Sequence, residues 1–265
     1  MAIEIDHYAT GTIIILVFVI LSIIGAIGTR KIQDIKKLLS HHEVMGYFFP
    51  VAGSIYGVLL GLIVVNSITA FNESNAVVNN EASDLISIYL LSNNLDPDTM
   101  QSIQKNCRDY ANTVIDNEWK TMDSGYHDPT AKRHLINLFD GIIKSSKKGD
   151  LIAQKMLDIA EDMWKSRRYR LNIASTPIPT IEWVALCLGG ILIILLSYMF
   201  VMDSLHIQIL ATTSVSIMIA LNLYLVVSFG NPFSGDLRVS NASFKNALDT
   251  FSEIDNHTKN QPKDQ

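Results

Sequence analysis

The fold of this chain is decided by residues 47–71, YFFPVAGSIYGVLLGLIVVNSITAF. As a helix rising about 1.5 Å per residue, this stretch is long enough to cross a hydrocarbon layer about 30 Å thick. Gly53, Gly57 and Gly61 recur at every fourth position and therefore form one row along the helix. In lipid, such a row lets a second helix pack unusually close. That partner is either another helix of the same chain, or a second subunit or the wall of a central pathway.

Apolar residues outside this stretch are concentrated in further blocks. The 265 residues are 48% hydrophobic and 18% charged, with a formal net charge of −5, so the chain is less charged than an average soluble domain. We predict spans at about 10–28, 47–71, 181–202 and 206–229. The predicted fold class is therefore an all-α, polytopic membrane protein with four transmembrane helices and the lipid bilayer as a partner.

The charges that flank the first block predict whether it is retained as a membrane helix and in which direction it crosses the membrane. Glu4 and Asp6 precede the block, whereas Arg30 and Lys31 follow it, which favours a retained helix over a cleaved signal peptide. Positive charge in the short connecting loop 29–46 favours a cytoplasmic position for that loop. We therefore expect a multi-pass protein of the cell membrane, with both termini and the domain between the second and third spans outside the cytoplasm. The basic residues at 165–170 instead favour a cytoplasmic position for that domain.

Residues 72–176 are polar and carry clear helix signals. Asp96-Pro97 and Asp128-Pro129 each place a capping residue before a proline, which is typical of a helix start. We predict a soluble α-helical domain here, preceded by one rod or two collinear rods that continue from the second span to Asn94. Residues 177–229 form the second pair of spans, and residues 230–265 a short amphipathic helix with a tail that is disordered after Asp255.

Three residues near the end of the second span are candidates for a pathway. Asn66 is either a hydrogen-bonding clasp between helices or a polar lining residue. Leu62 and Val65 are candidates for a hydrophobic constriction, because apolar rings can gate a pore by excluding water.

Charged residues of the soluble domain form a second candidate set. Glu81 and Asp84 are three residues apart and share a helix face, where they either are solvated or paired, or attract cations. Glu118 lies beside Trp119, which is typical of a core tryptophan with a salt-bridging carboxylate. A dense basic group comes just before the third span, and it either pairs with Glu81 or Glu118, contacts lipid phosphates or attracts anions; its members are Lys165, Arg167, Arg168 and Arg170.

The sequence carries none of the patterns that mark common enzymes. It has no P-loop, no GxSxG elbow, no HExxH and no dinucleotide-binding glycine motif. No Cys/His spacing predicts a metal site, no motif predicts a cofactor, and no basic face predicts nucleic-acid binding. We therefore do not expect an enzyme.

Several of these residues also occur in a pattern that resembles a known family. The pattern spans about residues 45–248 and comprises Tyr56-Gly57-Val58-Leu59-Leu60-Gly61, Glu81-Ala82, Tyr110, Glu118-Trp119, Arg167-Arg168-Tyr169-Arg170-Leu171 and Pro232-Phe233-Ser234-Gly235. It is similar to the bacterial membrane proteins labelled bestrophin-like domain. The label reflects a likeness to bestrophin anion channels, which are oligomers with four spanning helices per subunit. Gly230-Asn231 stands where an Asp-Arg pair is usual in that family.

The sequence is compatible with two functions. The first is a homo-oligomeric ion channel or pore for inorganic ions, in which the glycine-bearing helix packs near the axis and the soluble helices form a vestibule. The second is a non-conducting, membrane-anchored interaction or sensing module that uses its helical domain as a docking surface.

Overall fold

The computed structural model describes residues 7–32, 42–122, 128–145, 151–176, 178–199, 202 and 204–260. The chain divides into two compact units. Residues 1–71 and 177–238 form the first, here called the spanning unit, and residues 72–176 and 239–265 form the second, here called the helical unit.

The described residues are helical apart from short connections, and none of them forms a strand. The helices are α1 (His7–Ile32), α2 (His42–Ser92), α3 (Pro97–Thr113), α4 (Pro129–Ser145), α5 (Leu151–Ser175), α6 (Thr180–Met199), α7 (Leu205–Phe229) and α8 (Ala242–Asn260). A π-helical turn, Val114–Glu118, and a short helix, Trp119–Thr121, follow α3.

The predicted all-α fold with four membrane-spanning helices is confirmed. Four described helices are long and apolar enough to cross a membrane: Gly11–Lys31, Gly46–Ser92, Thr180–Met199 and Leu205–Phe229. The second of these belongs to a single helix of 51 residues. The predicted rod is therefore one continuous helix and not two collinear ones. Half of the predicted connecting loop 29–46, namely residues 33–41, lies outside the described residues.

The core of the spanning unit is formed by one face of α2 against α6 and α7. The buried side chains on α2 recur at helical spacing, and they are Tyr56, Leu60, Ile63 and Val64. They pack against side chains of α6 and α7, namely Leu186, Ile193, Ile194, Ile219 and Val226. Burial at three- and four-residue intervals marks this as the inward face of α2.

Tyrosine rings packed over glycines fix the close contacts in this unit. A Cβ atom at Gly189 would lie 2.5 Å from Cδ2 of Tyr56. The Tyr56 hydroxyl donates to the backbone carbonyl of Leu186 at 3.0 Å, so the ring cannot swing away without losing that bond. Gly25 lies in the same way under Tyr198, and Gly11 under Tyr224. Such contacts suit a membrane interior, where helices associate through close fit.

The helical unit begins its helices as the capping signals predict. The Asp96 side chain accepts from the backbone N–H of Thr99 at 3.1 Å, and Asp128 accepts from that of Thr130 at 2.7 Å. That bond outweighs the opposing cost of desolvation and holds the pKa of Asp128 below its usual value. Both carboxylates therefore satisfy backbone donors that the first helical turn leaves free.

Helix α8 is longer than the sequence predicts. The expected disorder after Asp255 is wrong for residues 256–260, which continue the helix; residues 261–265 lie outside the described residues. Long-range contacts hold the helix: Phe251 stacks on Tyr89 with ring centroids 4.1 Å apart, and Arg108 pairs with Asp255 at 2.6 Å. A polar sequence remains helical here because its inner face is anchored.

We predict that Gly189→Ala lowers the stability of the purified protein by about 2 kcal/mol, because the added methyl group overlaps the fixed ring of Tyr56. The matched control is Gly28→Ala on α1, where the added atom would meet nothing within 4 Å. It should raise stability slightly, by up to about 1 kcal/mol, since alanine favours helix over glycine. Thermal unfolding in detergent measures both. Equal unfolding temperatures for the two variants would contradict the packing argument.

Candidate functional site

Apart from the half-buried Gly53, the candidate pathway residues are spread around the exposed side of α2. Asn66 is nine residues from Gly57 and is therefore turned about 180° from it around the helix axis. We call the exposed side the glycine face; it consists of Gly53, Gly57, Gly61, Leu62, Val65 and Asn66. No described atom lies within 4 Å of the Cβ position of any of the three glycines, neighbouring turns of α2 aside. Leu62 and Val65 are each 59% exposed, and Asn66 is exposed.

The glycine face and the buried face of α2 point in different directions. Tyr56, Leu60 and Ile63 are turned toward α6 and α7, whereas Gly57 and Gly61 are exposed. Of the two partners that the sequence leaves open for the glycine row, a helix of the same chain is not seen among the described residues.

Four of the charged candidates meet in the interior of the helical unit. Together with Tyr110 they form what we call the ion cluster: Glu81, Tyr110, Glu118, Arg167 and Arg170. Glu81, Tyr110, Glu118 and Arg170 are 0% exposed, and Arg167 is 6% exposed. Two carboxylates and two guanidinium groups cancel formally, which is the usual condition for burying charge.

Arg170 is the centre of this cluster. Its Nε donates to Glu81 Oε2 at 2.7 Å, and its second terminal nitrogen donates to Glu81 Oε1 and to Glu118 Oε2, both at 2.9 Å. The remaining terminal nitrogen lies 3.0 Å from Met122 Sδ. Only arginine offers this many donors in one plane. Arg170 thus joins α5 to α2 and to the π-helical turn.

The other members complete the pairing. Arg167 donates to Glu118 Oε1, and the Tyr110 hydroxyl donates to Glu81 Oε1. Arg167 and Arg170 are three residues apart on α5 and therefore lie on the same face. The Nε atom of Arg167 is buried and has no hydrogen-bond partner among the described residues.

Aromatic rings cover Arg170 where the carboxylates do not. Its guanidinium carbon lies 5.6 Å from the ring centre of Trp119 and 5.9 Å from that of Phe244. Both distances are within the range of a cation–π interaction. The carboxylates, the thioether and the two rings together enclose the guanidinium group.

The π-helical turn is what brings Glu118 into the cluster. The backbone N–H of Trp119 donates to the carbonyl of Val114, five residues earlier. In a regular α-helix, Glu118 would be rotated by about 80° from Tyr110, and the wider turn removes most of that rotation. Tyr110 and Glu118 therefore reach the same interior site. Nothing in the sequence signals this turn.

The environment fixes the protonation of two members. Burial opposes the charge on Arg170, but the adjacent Glu81 carboxylate outweighs it and raises the pKa of Arg170 well above its usual value. Burial, reinforced by the same carboxylate, raises the pKa of Tyr110 well above its usual value. Arg170 therefore stays charged and Tyr110 stays a hydrogen-bond donor at any physiological pH.

The remaining candidates lie nearer the surface. Asp84 is half-buried and Arg168 is exposed. Arg168 and Lys165 line an open groove of about 640 Å³ beside Tyr169, and Lys165 pairs with Glu161 at 2.9 Å. Among the described residues, no group of three or more His, Cys, Asp or Glu side chains is arranged to hold a metal ion.

Glu73 is a residue that no pattern in the sequence indicates. It is exposed, and its Oε2 accepts from the Tyr169 hydroxyl at 2.8 Å. The sequence gives no signal for this contact, because the two residues are far apart along the chain.

We predict that Arg170→Met destabilises the folded protein by about 3–5 kcal/mol, because it leaves two buried carboxylates without their shared cation. The matched control is Lys165→Met on the same helix, which removes a solvent-exposed pair and should leave the unfolding temperature unchanged. Calorimetry in detergent compares the two. If Arg170→Met unfolded at the temperature of the control, the ion cluster would not hold the helical unit together.

Comparison with known proteins agrees with this architecture. The Bestrophin-like domain family matches residues 14–244. No curated protein matches the chain.

Solved structures share the fold at low sequence identity. A variant of a bacterial bestrophin homologue from Klebsiella pneumoniae superposes with a TM-score of 0.72 at 15% identity, over 91% of this chain and 98% of the other. A second structure of a Klebsiella pneumoniae bestrophin homologue, phased with zinc, gives 0.70 at 17% identity, over 95% and 99%. A variant described as a membrane protein gives 0.71 at 15%, over 91% and 98%. The family match covers most of the chain and the fold agrees with it, so this protein belongs to the Bestrophin-like family.

Proposed function

We propose that the protein is a homo-oligomeric ion channel of the cell membrane, in which the glycine faces of several copies meet around a central pathway. The observation that carries this proposal is the open row of Gly57 and Gly61, which no described residue covers. Membership of the Bestrophin-like family, whose name reflects a likeness to channels, supports it.

Lipid is a poor partner for this row. A helix surface that faces acyl chains gains contact from large apolar side chains, whereas glycines leave a shallow groove that chains fill poorly. A second helix fits such a groove closely, and its backbone can approach within contact distance. A second copy of α2 is the partner that we propose, because each copy brings the same groove.

The residues beside the glycines would supply the pathway. Leu62 and Val65 are exposed apolar side chains on successive positions of the open side, and rings of such side chains form a dewetting constriction. Asn66 follows them and offers an amide to a passing ion. A carbonyl oxygen suits a cation and an N–H an anion, so the amide does not by itself set the sign of the ion.

The ion cluster has a supporting role in this proposal. Glu81 is fully buried and bound by Arg170, so we assign it a structural role and not a place in the lining of the pathway. Its partnership with Arg170 and Tyr110 instead holds the helices of the helical unit in register. Among carboxylates of the same helix, Glu73 is exposed and takes the place of Glu81 as the candidate acidic residue of a vestibule.

For the orientation in the membrane we propose that both termini and the helical unit are outside the cytoplasm. Arg30, Lys31, Lys36 and Lys37 belong to the short segment between the first two spans. Positive charge in short segments governs orientation more strongly than charge in large domains.

We predict that Asn66→Leu lowers single-channel conductance in planar bilayers severalfold, because an apolar ring replaces the polar one next to the constriction. The matched control is Asn222→Leu on α7, whose amide already donates to the Met218 carbonyl at 2.9 Å within its own helix. The control should conduct like the unchanged protein.

Two outcomes would count against this function. Folded, assembled protein that carries no current would favour the alternative of a membrane-anchored docking module. Equal conductance for Asn66→Leu and Asn222→Leu would remove Asn66 from the pathway.

A further inference from the structure

We propose that the spanning unit contains a binding site for a small amphiphile, a molecule with a compact apolar body and one hydrogen-bond-accepting oxygen. The site is a cavity of about 160 Å³ between α2, α6 and α7, with Gln208 among its lining residues. It is independent of the proposed pathway, because Gln208 is on α7 and the glycine face is on the open side of α2.

The first observation is an unsatisfied donor. Gln208 is 1% exposed, and its Nε2 has no hydrogen-bond partner among the described residues. A buried amide N–H without a partner costs free energy, because it has given up its hydrogen bond to water. A donor of this kind at a cavity wall is typical of a place where a ligand supplies the acceptor.

The second observation fixes which end of the amide is available. Arg30 donates to Gln208 Oε1 at 3.2 Å. A guanidinium group has donors and no acceptor, so the amide oxygen must be the atom that faces Arg30. The NH₂ end is therefore left for another partner, and that partner must be an acceptor.

The third observation is the character of the rest of the wall. Most of the other lining residues are apolar, and Thr212 also lines the cavity; the apolar residues are Phe49, Met202, Ala211 and Val215. The hydroxyl of Ser197, also in the wall, already donates to the Ile194 carbonyl at 2.7 Å. A cavity of about 150 Å³ with apolar walls accommodates a benzene-sized molecule, so the site has room for a six-membered ring.

The position of the site near the ends of the helices favours an amphiphile as its ligand. Gln208 is one turn from the start of α7, and Ser197 is in the last turn of α6. Helix ends of a spanning bundle lie near the boundary between lipid and water, where molecules with one polar atom and an apolar body accumulate.

Two probes of the same shape test the proposal: cyclohexanone, which has an accepting oxygen, and methylenecyclohexane, which has a CH₂ group in its place. Saturation-transfer NMR on the full chain in detergent measures binding of each. We expect saturable binding of both, with cyclohexanone about fivefold tighter, since one neutral hydrogen bond distinguishes them.

Three variants separate this site from general partitioning into the detergent. Gln208→Leu removes the donor and should make the two probes bind equally. Ala211→Phe fills the cavity and should abolish binding of both. Leu210→Phe, the control, adds the same ring at a neighbouring position that is 68% exposed, and it should bind both probes like the unchanged protein.

The proposal fails if the unchanged protein shows no saturable binding, or binds the two probes equally. It also fails if Ala211→Phe binds as well as Leu210→Phe. The probe comparison on the unchanged protein decides the matter even if Gln208→Leu does not fold.

Discussion

Close fit between helices is the constraint on which the spanning unit depends, because a hydrocarbon surrounding gives helices little reason to associate through apolar contact alone. In this unit, glycines leave notches in the helix surface that tyrosine rings fill. The fixed ring of Tyr56 lies over Gly189, and Gly25 lies under Tyr198. Gly57 and Gly61 offer a notch of the same kind, but no described residue fills it. An unfilled notch in a structure otherwise held by filled ones is the physical basis for proposing a second copy there.

The helical unit solves a different problem, because its interior contains charge. Arg170 bridges carboxylates from two separate elements, which makes the position of each element depend on the other. Replacement of such a cluster by apolar residues is often neutral for stability, so its value here lies in the register that it imposes. A single cation with fixed donor directions accepts only one arrangement of Glu81 and Glu118. A unit of this rigidity is suited to hold residues such as Glu73 at a defined place.

The fold could largely be predicted from sequence, and the sites only in part. Helix periods, apolar length and the Asp-Pro caps carry local information, and they predict the spans and the helix starts. The sequence does distinguish Arg167 and Arg170 from Lys165 and Arg168, because the first two follow Met163 at the spacing of the buried face of α5. Their burial could therefore have been predicted. Three other features depend on long-range packing. They are the π-helical turn that aligns Glu118, the stacking of Phe251 that extends α8, and the donor of Gln208 that has no partner. Spacing along one helix does not encode such contacts.

The proposed channel requires the glycine face to meet another copy of the chain, and disulfide trapping tests this contact most directly. Gly61→Cys would be placed in a chain whose Cys107 and Cys187 are replaced by alanine, and native membranes would be treated with a mild oxidant. Facing copies bring equivalent positions within disulfide reach, for which Cα atoms must approach to less than about 7 Å. We expect covalent dimers for Gly61→Cys and none for Gly28→Cys, the open glycine on α1. Monomers alone from both variants would contradict the proposed contact.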